Sequence, residues 1–177
     1  MRQIKASALV SLDGVIGDPH VWANEYFDAA AEEDALQRLD ECDAMLMGRH
    51  TYEIFARMWP NRSGAYSDAV NAIRKYVFSS TLERAEWKNS TIVRGDVVAE
   101  VKRLKEQEGK NLTLYGHGPL GQALLEHGLL DELRLAIHPV VVGRGNLLFR
   151  PGAGVKLQLT SERKLATGVV VLTYRQA

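Results

Sequence analysis

Residues 111–142, NLTLYGHGPLGQALLEHGLLDELRLAIHPVVV, carry the most regular pattern of the chain. The pattern predicts a strand, a glycine turn, a helix with Leu120, Leu124 and Leu125 facing inward, a stop at Gly128, and a second strand. Two strands joined by a helix form the unit from which parallel sheets are built. This stretch therefore predicts an α/β fold.

The chain before this stretch repeats the same alternation. Residues 4–17 predict a first strand that ends at a turn of Asp13 and Gly14. DAMLMG (43–48) and RHTYEIFARMW (49–59) predict a strand, a tight turn and a helix. Further strands are predicted at 75–83 and 90–95, and further helices at 24–41, 67–74 and 97–109.

The C-terminal part has a different pattern. Residues 155–176, VKLQLTSERKLATGVVVLTYRQ, predict two strands joined around 166–168, with no room for a crossover helix between them. We therefore expect a mainly parallel central sheet with helices on both faces and an antiparallel C-terminal hairpin. The length of 177 residues fits a single domain over 1–177.

Composition narrows the class of partner. The 22 Lys and Arg residues balance the 22 Asp and Glu residues, so no overall field attracts nucleic acid or an anionic membrane. No window approaches the roughly 18 apolar residues of a membrane helix. The single cysteine, Cys42, cannot form an internal disulfide and is expected to be a buried filler. These features favour a cytoplasmic protein with a small-molecule partner.

Three predicted strands end in turns that suit phosphate groups: GRH at 48–50, SST at 79–81 and GHG at 116–118. Ligands of open parallel sheets bind beyond the carboxyl ends of the strands, so these turns are expected to meet. Two of the turns begin helices, whose free amides and partial positive charge attract anions. Arg49 adds a full charge to the first turn.

The serine-rich turn indicates which nicotinamide nucleotide would bind. The hydroxyls of Ser79 and Ser80, with Arg49 or Arg94 nearby, suit a 2′-phosphate, whereas NAD-selective sites use a carboxylate on the free ribose hydroxyl. Hydroxyls at a strand end also commonly cap backbone groups, and both interpretations stay open.

Gly116, Gly118 and Gly121 have the G-x-G-x-x-G spacing of dinucleotide-binding turns. The Rossmann fingerprint normally lies at the start of its fold and is followed about 20 residues later by an acid. Here the motif comes late, and the following strand ends in His138 and Pro139. The glycines are consistent with a phosphate site, but the architecture is not that of a Rossmann fold.

Several segments together resemble a known family. They are SLDGVIG (11–17), LMGRHTYE (46–53), VFSSTL (77–82) and LYGHGPLGQALLEHGLLDELRLAIHPVVVGRGNLLF (114–149). They look like the dihydrofolate-reductase-like fold, and in particular like the riboflavin-biosynthesis reductase (RibD C-terminal) family. The last segment is the most specific, because its order and spacing are hard to obtain by chance.

The resemblance implies NADPH as cofactor and a homodimer. It implies contacts to the pyrophosphate and the 2′-phosphate from Gly48, Arg49, His50 and Thr51. It places Ser79 and Ser80 near the adenosine side of the cofactor. It also places Gly116, His117, Gly118 and Leu120 beside the pyrophosphate and the nicotinamide.

The activity implied is an NADPH-dependent reductase that transfers hydride to a small heterocyclic or sugar-derived substrate. The family default is a 5-amino-6-(5-phosphoribosylamino)uracil reductase of riboflavin biosynthesis. The alternatives are a dihydrofolate, pterin or other carbonyl reductase, and a nucleotide-binding module without turnover. The chain departs from the family pattern at two places. The pattern has Glu-Gly-Gly where this chain has Gly116, His117 and Gly118. Residues 17–44 are acidic, whereas the family has basic residues there that engage a ribose phosphate.

Asp13 has two open interpretations. It is either a turn residue before Gly14 or the catalytic acid at the mouth of the first strand, where nicotinamide and substrate would meet. The histidines show no metal-ligand spacing with cysteine or carboxylate pairs, so no metal is expected.

Overall fold

The computed structural model describes residues 1–152 and 154–177, and its strands form one eight-stranded sheet. The strands, in chain order, are β1 Ile4–Ser11, β2 Cys42–Gly48, β3 Arg74–Phe78, β4 Ser90–Val93, β5 Asn111–Tyr115, β6 Glu132–His138, β7 Leu157–Lys164 and β8 Val170–Gln176. The α-helices are α1 Pro19–Trp22, α2 Ala29–Asp40, α3 Arg49–Met58, α4 Ala65–Ala72, α5 Val97–Glu106 and α6 Pro119–Glu126. Two 3-10 turns lie at Asn24–Tyr26 and Trp59–Asn61.

The sheet has the strand order β4-β3-β2-β5-β1-β6-β8-β7. Strands β1 to β6 pair in parallel, while β8 runs antiparallel to both β6 and β7. The predicted α/β fold, with a mainly parallel sheet and an antiparallel C-terminal hairpin, is therefore confirmed.

Side-chain alternation along the strands divides the core between the two faces of the sheet. On β2, Leu46 belongs to a core with α5 and α6, whereas its neighbour Met47 packs with residues of α2, α3 and α4. We call these the α5–α6 face and the α2–α4 face. Helices therefore cover both faces, as the sequence predicts.

The second helix begins later than its sequence pattern indicates. The sequence predicts it over 24–41, but it begins at Ala29, and Phe27, which has the spacing of the buried residues Ala35 and Leu39, is 44% exposed. The carboxylate of Asp28 accepts a hydrogen bond from the amide of Ala31, which is the N-cap arrangement. The cap interrupts the helical pattern, so the preceding residues form a 3-10 turn instead.

Lys75 is a fully buried cation on the α2–α4 face of β3. Its ammonium donates to the carbonyls of Asn71 at 3.0 Å, Ile73 at 2.8 Å and Lys88 at 3.3 Å, and lies 4.2 Å from the ring centroid of Trp87. Two of these carbonyls lie at the C-terminal end of α4, where partial negative charge attracts a cation. Lys75 therefore joins α4 to the segment before β4.

The helices of the described residues are all too short or too polar to cross a membrane.

Candidate functional site

The three phosphate-type turns of the sequence lie beside one another. They follow β3, β2 and β5, which are adjacent parallel strands, and β1 is the next strand in the sheet. The turns 48–50, 79–81 and 116–118 therefore all lie at the carboxyl edge of the sheet, where ligands of open α/β sheets bind. We call this edge the carboxyl rim.

Gly48 and Arg49 form the first turn and the start of α3. Gly48 is the N-cap, and no atom lies within 4 Å of the position that a Cβ would occupy there. Arg49 donates from Nε to Glu53 at 2.6 Å and from a terminal nitrogen to the hydroxyl of Thr81 at 2.7 Å. Its side chain is about half exposed and links the first turn to the second. His50 is exposed beside it.

The second turn is held by its own hydrogen bonds. The hydroxyl of Ser79 accepts from the amides of Thr81 at 3.2 Å and Leu82 at 2.9 Å. The guanidinium of Arg94 donates to the carbonyls of Ser80 at 2.9 Å and Leu82 at 2.7 Å. Ser79 thus performs the capping role that the sequence left open, while the side chain of Ser80 is exposed at the rim.

The three glycines of the G-x-G-x-x-G motif have different surroundings. Gly116 has φ +77°, and a Cβ there would lie 2.2 Å from Oγ1 of Thr51, so β5 and α3 approach closely at this point. A Cβ at Gly121 would lie 2.7 Å from Nδ1 of His117. Only Gly118, the N-cap of α6, has free space around it. One glycine of the motif therefore leaves room for a ligand, and two allow internal packing.

The side chains of His117 and Leu120 are both buried. His117 is 1% exposed, its ring lies edge-on to Phe149, and neither ring nitrogen has a hydrogen-bond partner among the described residues. Burial lowers the pKa of His117 to about 4. Leu120 belongs to the core under α6. Because both side chains are buried, only the backbone groups of these residues are available to a ligand at the rim.

Asp13 accepts hydrogen bonds from three donors at the end of β1. They are the hydroxyl of Ser11 at 2.6 Å and the amides of Val142 at 3.1 Å and Gly143 at 2.7 Å. The Ser11 hydroxyl and then the two amides lower the pKa of Asp13 to about 2. A carboxylate with this pKa is ionised at neutral pH, which favours the interpretation as a turn residue over that as a catalytic acid.

Asp13→Asn is expected to reduce the pH dependence of stability in acid. Because the folded-state pKa lies below the ordinary value of 3.8, the Asp13 contribution is present above pH 3.8 and is lost as the pH falls towards about 2. Urea midpoints measured over this range should fall less steeply for the variant than for the wild-type protein. Parallel curves would show that the 142–143 loop does not depend on this carboxylate.

Two features of the rim were not predicted from the sequence. One is the hydrogen bond between Arg49 and Thr81. The hydroxyl of Thr81 in the SST turn and the i,i+4 spacing of Arg49 and Glu53 were the sequence features that could have indicated it. The other is the 142–143 loop, whose amides bind Asp13 from about 130 residues away and leave no local signal.

Among the described residues no group of histidine, cysteine and carboxylate side chains could hold a metal ion. Cys42 is buried, as expected, and burial raises the pKa of its thiol to about 11.

Comparisons with known proteins agree with this architecture. The family model described as "RibD C-terminal domain" matches residues 2–171. YyaP, an uncharacterized protein of Bacillus subtilis, is 31% identical over 142 residues, covering 77% of this chain and 75% of its own. YwjB of the same organism is 28% identical over 162 residues, covering 88% and 83%.

Two solved structures show the same fold at low sequence identity. A pyrimidine reductase-like protein from Corynebacterium diphtheriae has a TM-score of 0.71 at 14% identity, with 99% of this chain and 92% of that chain covered. A diaminohydroxyphosphoribosylaminopyrimidine deaminase/5-amino-6-(5-phosphoribosylamino)uracil reductase from Thermotoga maritima has a TM-score of 0.69 at 15% identity. The match covers 99% of this chain and 57% of that longer chain.

Proposed function

The chain belongs to the RibD C-terminal domain family, and on that premise we propose that it is an NADPH-dependent reductase that transfers hydride to a small heterocyclic or sugar-derived substrate. The observation that carries the proposal is the meeting of the turns after β2, β3 and β5 at the carboxyl rim. Two of these turns begin helices at glycines with open space around them.

The residues of the rim fit a phosphate-bearing nucleotide. The amides at the start of α3 and α6 would bind the pyrophosphate, because Gly48 and Gly118 leave its approach to the backbone free. Arg49 and the hydroxyl of Ser80 would bind the 2′-phosphate, with the exposed His50 beside them. In this proposal Thr51 and Gly116 act together by fixing the start of α3 against β5.

NADPH, when bound, supplies the hydride. The chain would align the substrate beside the nicotinamide at the ends of β5 and β1 and exclude bulk water from the reacting atoms. Asp13 would hold the 142–143 loop over this region as an ionised carboxylate. A water molecule at the rim, and not Asp13, is then the proposed source of the proton that the reduced substrate takes up.

For the substrate, the family default remains 5-amino-6-(5-phosphoribosylamino)uracil, with a pterin or another carbonyl compound as the alternative. The Thermotoga maritima protein carries the name of that uracil reductase activity. We also propose, from the family resemblance, that the chain is a single-domain cytoplasmic protein that works as a homodimer.

The test is to titrate the protein with NADPH and then to follow oxidation of the cofactor with pyrimidine, pterin and small carbonyl substrates. Binding followed by oxidation with one class supports the reductase and identifies the class. Binding without oxidation in every case would instead favour a nucleotide-binding module. Failure of saturating NADPH to raise the melting temperature would contradict the cofactor assignment.

Arg49→Ala is expected to weaken NADPH binding about tenfold while leaving NADH binding nearly unchanged. The variant removes a charge-assisted contact to the 2′-phosphate, which NADH lacks. The effect is placed at the low end of the usual range because Arg49 is half exposed and already paired with Glu53. Dissociation constants for both cofactors check this expectation, and an equal loss for both would exclude a 2′-phosphate role.

A further inference from the structure

Two tyrosine hydroxyls form a hydrogen bond next to the carboxyl rim. Tyr115 is the last residue of β5, and Tyr66 lies in the first turn of α4. Their hydroxyl oxygens are 3.0 Å apart, and either hydroxyl can be the donor in this bond. Tyr66 is buried, whereas Tyr115 is partly exposed. We call these two residues the tyrosine pair.

The tyrosine pair has one more donor hydrogen than its own hydrogen bond uses. Each phenol carries a single O–H hydrogen. The bond between the two phenols uses one of these hydrogens, and the other has no acceptor among the described residues. A buried donor without an acceptor is destabilising, so the free hydrogen belongs on the more exposed partner, Tyr115. Tyr66 is then the donor within the pair, and Tyr115 is free to donate to a ligand.

The surroundings keep both phenols protonated and in place. Burial raises the pKa of Tyr115, although the hydrogen bond from Tyr66 opposes part of this rise. Burial, and then the proximity of Tyr115, raises the pKa of Tyr66. The ring centroid of Tyr115 lies 5.8 Å from that of Phe55 on α3, and the ring of Tyr66 is edge-on to Trp59 at 5.3 Å. Two neutral hydroxyls are therefore held near the end of β5 at neutral pH.

The surface beside Tyr115 is open to a ligand. Tyr115 is the register partner of Ser7 on β1, and Leu9 follows two residues later on the same face of the sheet. Leu9 lies on a strand with neighbours on both sides, yet it is 39% exposed. Adjacent strands are roughly 4.8 Å apart, so a flat ring that rests on Leu9 lies beside the phenol of Tyr115. This place, at the ends of β5 and β1, is also the proposed position of the substrate.

From this geometry we propose that Tyr115 is the catalytic residue that donates a proton to the substrate, and that Tyr66 is the residue that positions it. The assignment rests on the proposed reductase function. The carbonyl or imine carbon of the substrate accepts hydride from NADPH, which is thereby oxidised, and the π electrons of the double bond move to the oxygen or nitrogen. The O–H bond of Tyr115 breaks, and its proton goes to that atom. The phenolate left on Tyr115 takes a proton from the water molecule at the rim, so water remains the source of the proton.

Tyr66 acts on the donor and not on the substrate. Its O–H fixes the position of the Tyr115 oxygen and stabilises the phenolate that forms there, because hydrogen bonds to a charged oxygen are stronger than bonds between neutral groups. Replacing Tyr66 should therefore slow proton donation without abolishing it.

The first experiment compares the steady-state kinetics of the wild type, Tyr115→Phe, Tyr66→Phe and the matched control Tyr76→Phe, with a substrate that supports NADPH oxidation. Tyr76 lies on β3 and packs on the α5–α6 face. We expect kcat to fall about 100-fold in Tyr115→Phe, about tenfold in Tyr66→Phe and not at all in Tyr76→Phe. KM and the dissociation constant of NADPH should stay close to their wild-type values, because phenylalanine keeps the packing of the ring. A packing defect would change these two constants as well.

The second experiment needs no turnover. 4-Nitrophenolate is a flat ring with an anionic oxygen, so it is a probe for a free hydroxyl donor at the rim. A titration followed by its absorbance should show binding to the wild type and to Tyr76→Phe, and about tenfold weaker binding to Tyr115→Phe. Melting temperatures of the variants check that each one is folded.

The outcomes separate this proposal from the proposed function. If the wild type oxidises NADPH with a substrate and Tyr115→Phe has the same kcat, another group supplies the proton and the proposal is wrong. It is equally wrong if the probe does not bind, or binds to Tyr115→Phe as it does to the wild type, because Tyr115 then has no free donor. If probe binding depends on Tyr115 in a protein that does not bind NADPH, the reductase function and its proton transfer are refuted, while the hydroxyl donor at the rim stands.

Discussion

Gly116→Ala is expected to lower the free energy of unfolding by roughly 2–5 kcal/mol. An L residue at φ +77° is strained by about 1–2 kcal/mol. The new Cβ would also stand 2.2 Å from Oγ1 of Thr51, and such overpacking typically costs about 1–3 kcal/mol. Urea denaturation measures the change. NADPH affinity should fall as well, because the start of α3 would be pushed away from β5.

Gly48→Ala is the matched control for this variant. Gly48 has ordinary extended backbone angles, φ −80° and ψ 168°, and no neighbour near a Cβ. Its stability should therefore stay within about 0.5 kcal/mol of the wild-type value, while NADPH binding weakens if phosphate approaches there. Adding Thr51→Ala to Gly116→Ala should restore part of the lost stability, because the steric part is relieved and the backbone strain remains. If Gly116→Ala were as stable as the wild-type protein, this result would contradict the close approach of β5 and α3.

Lys75→Met is expected to remove a rise in stability between about pH 8 and pH 10.5. Burial, and secondarily the charge of Lys88, lowers the pKa of Lys75 from 10.5 to about 8. Over this range the unfolded chain binds the proton that the folded chain has released, so wild-type stability increases with pH. The increase amounts to at most about 3 kcal/mol, and the variant lacks it. Free energies of unfolding at several pH values give the comparison.

The difference between the two proteins is the quantity that tests this expectation. The raised pKa of the Cys42 thiol makes stability fall with pH in the same alkaline region. Both proteins contain Cys42, so subtraction removes its contribution. A difference that does not change with pH would mean that Lys75 keeps an ordinary pKa despite its burial.

Local periodicity was sufficient to predict most of the fold. The strand, glycine turn and helix around β5 and α6 follow directly from 111–128, and the hairpin of β7 and β8 follows from the absence of a crossover segment. The predicted start of α2 was wrong. Phe27 has the spacing of the helix's buried residues, but the N-cap at Asp28 places it before the helix begins. A hydrogen bond to one backbone amide decided the boundary against the hydrophobic pattern.

The candidate site was predictable as a set of turns, but not in the directions of its side chains. Strand ends of a parallel sheet must meet at one edge, so the three turns could be brought together from sequence alone. The inward rotation of His117 depends on the space that Gly121 leaves, which spacing does not reveal. Arg134 and Arg163 pair with Asp34 from 100 and 129 residues away, so no local sequence pattern predicts these ion pairs.

The position of β1 in the sheet has a consequence for synthesis on the ribosome. β1 pairs with β5 and β6, so both of its edges stay unpaired until residues 111–138 have left the exit tunnel. Until then the nascent chain carries an apolar segment, with Ile4, Ala6, Ala8 and Val10 on its inner side, that lacks its native neighbours in the sheet. Chaperones that hold such segments have their longest opportunity here, and a pause in translation before β5 would prolong it.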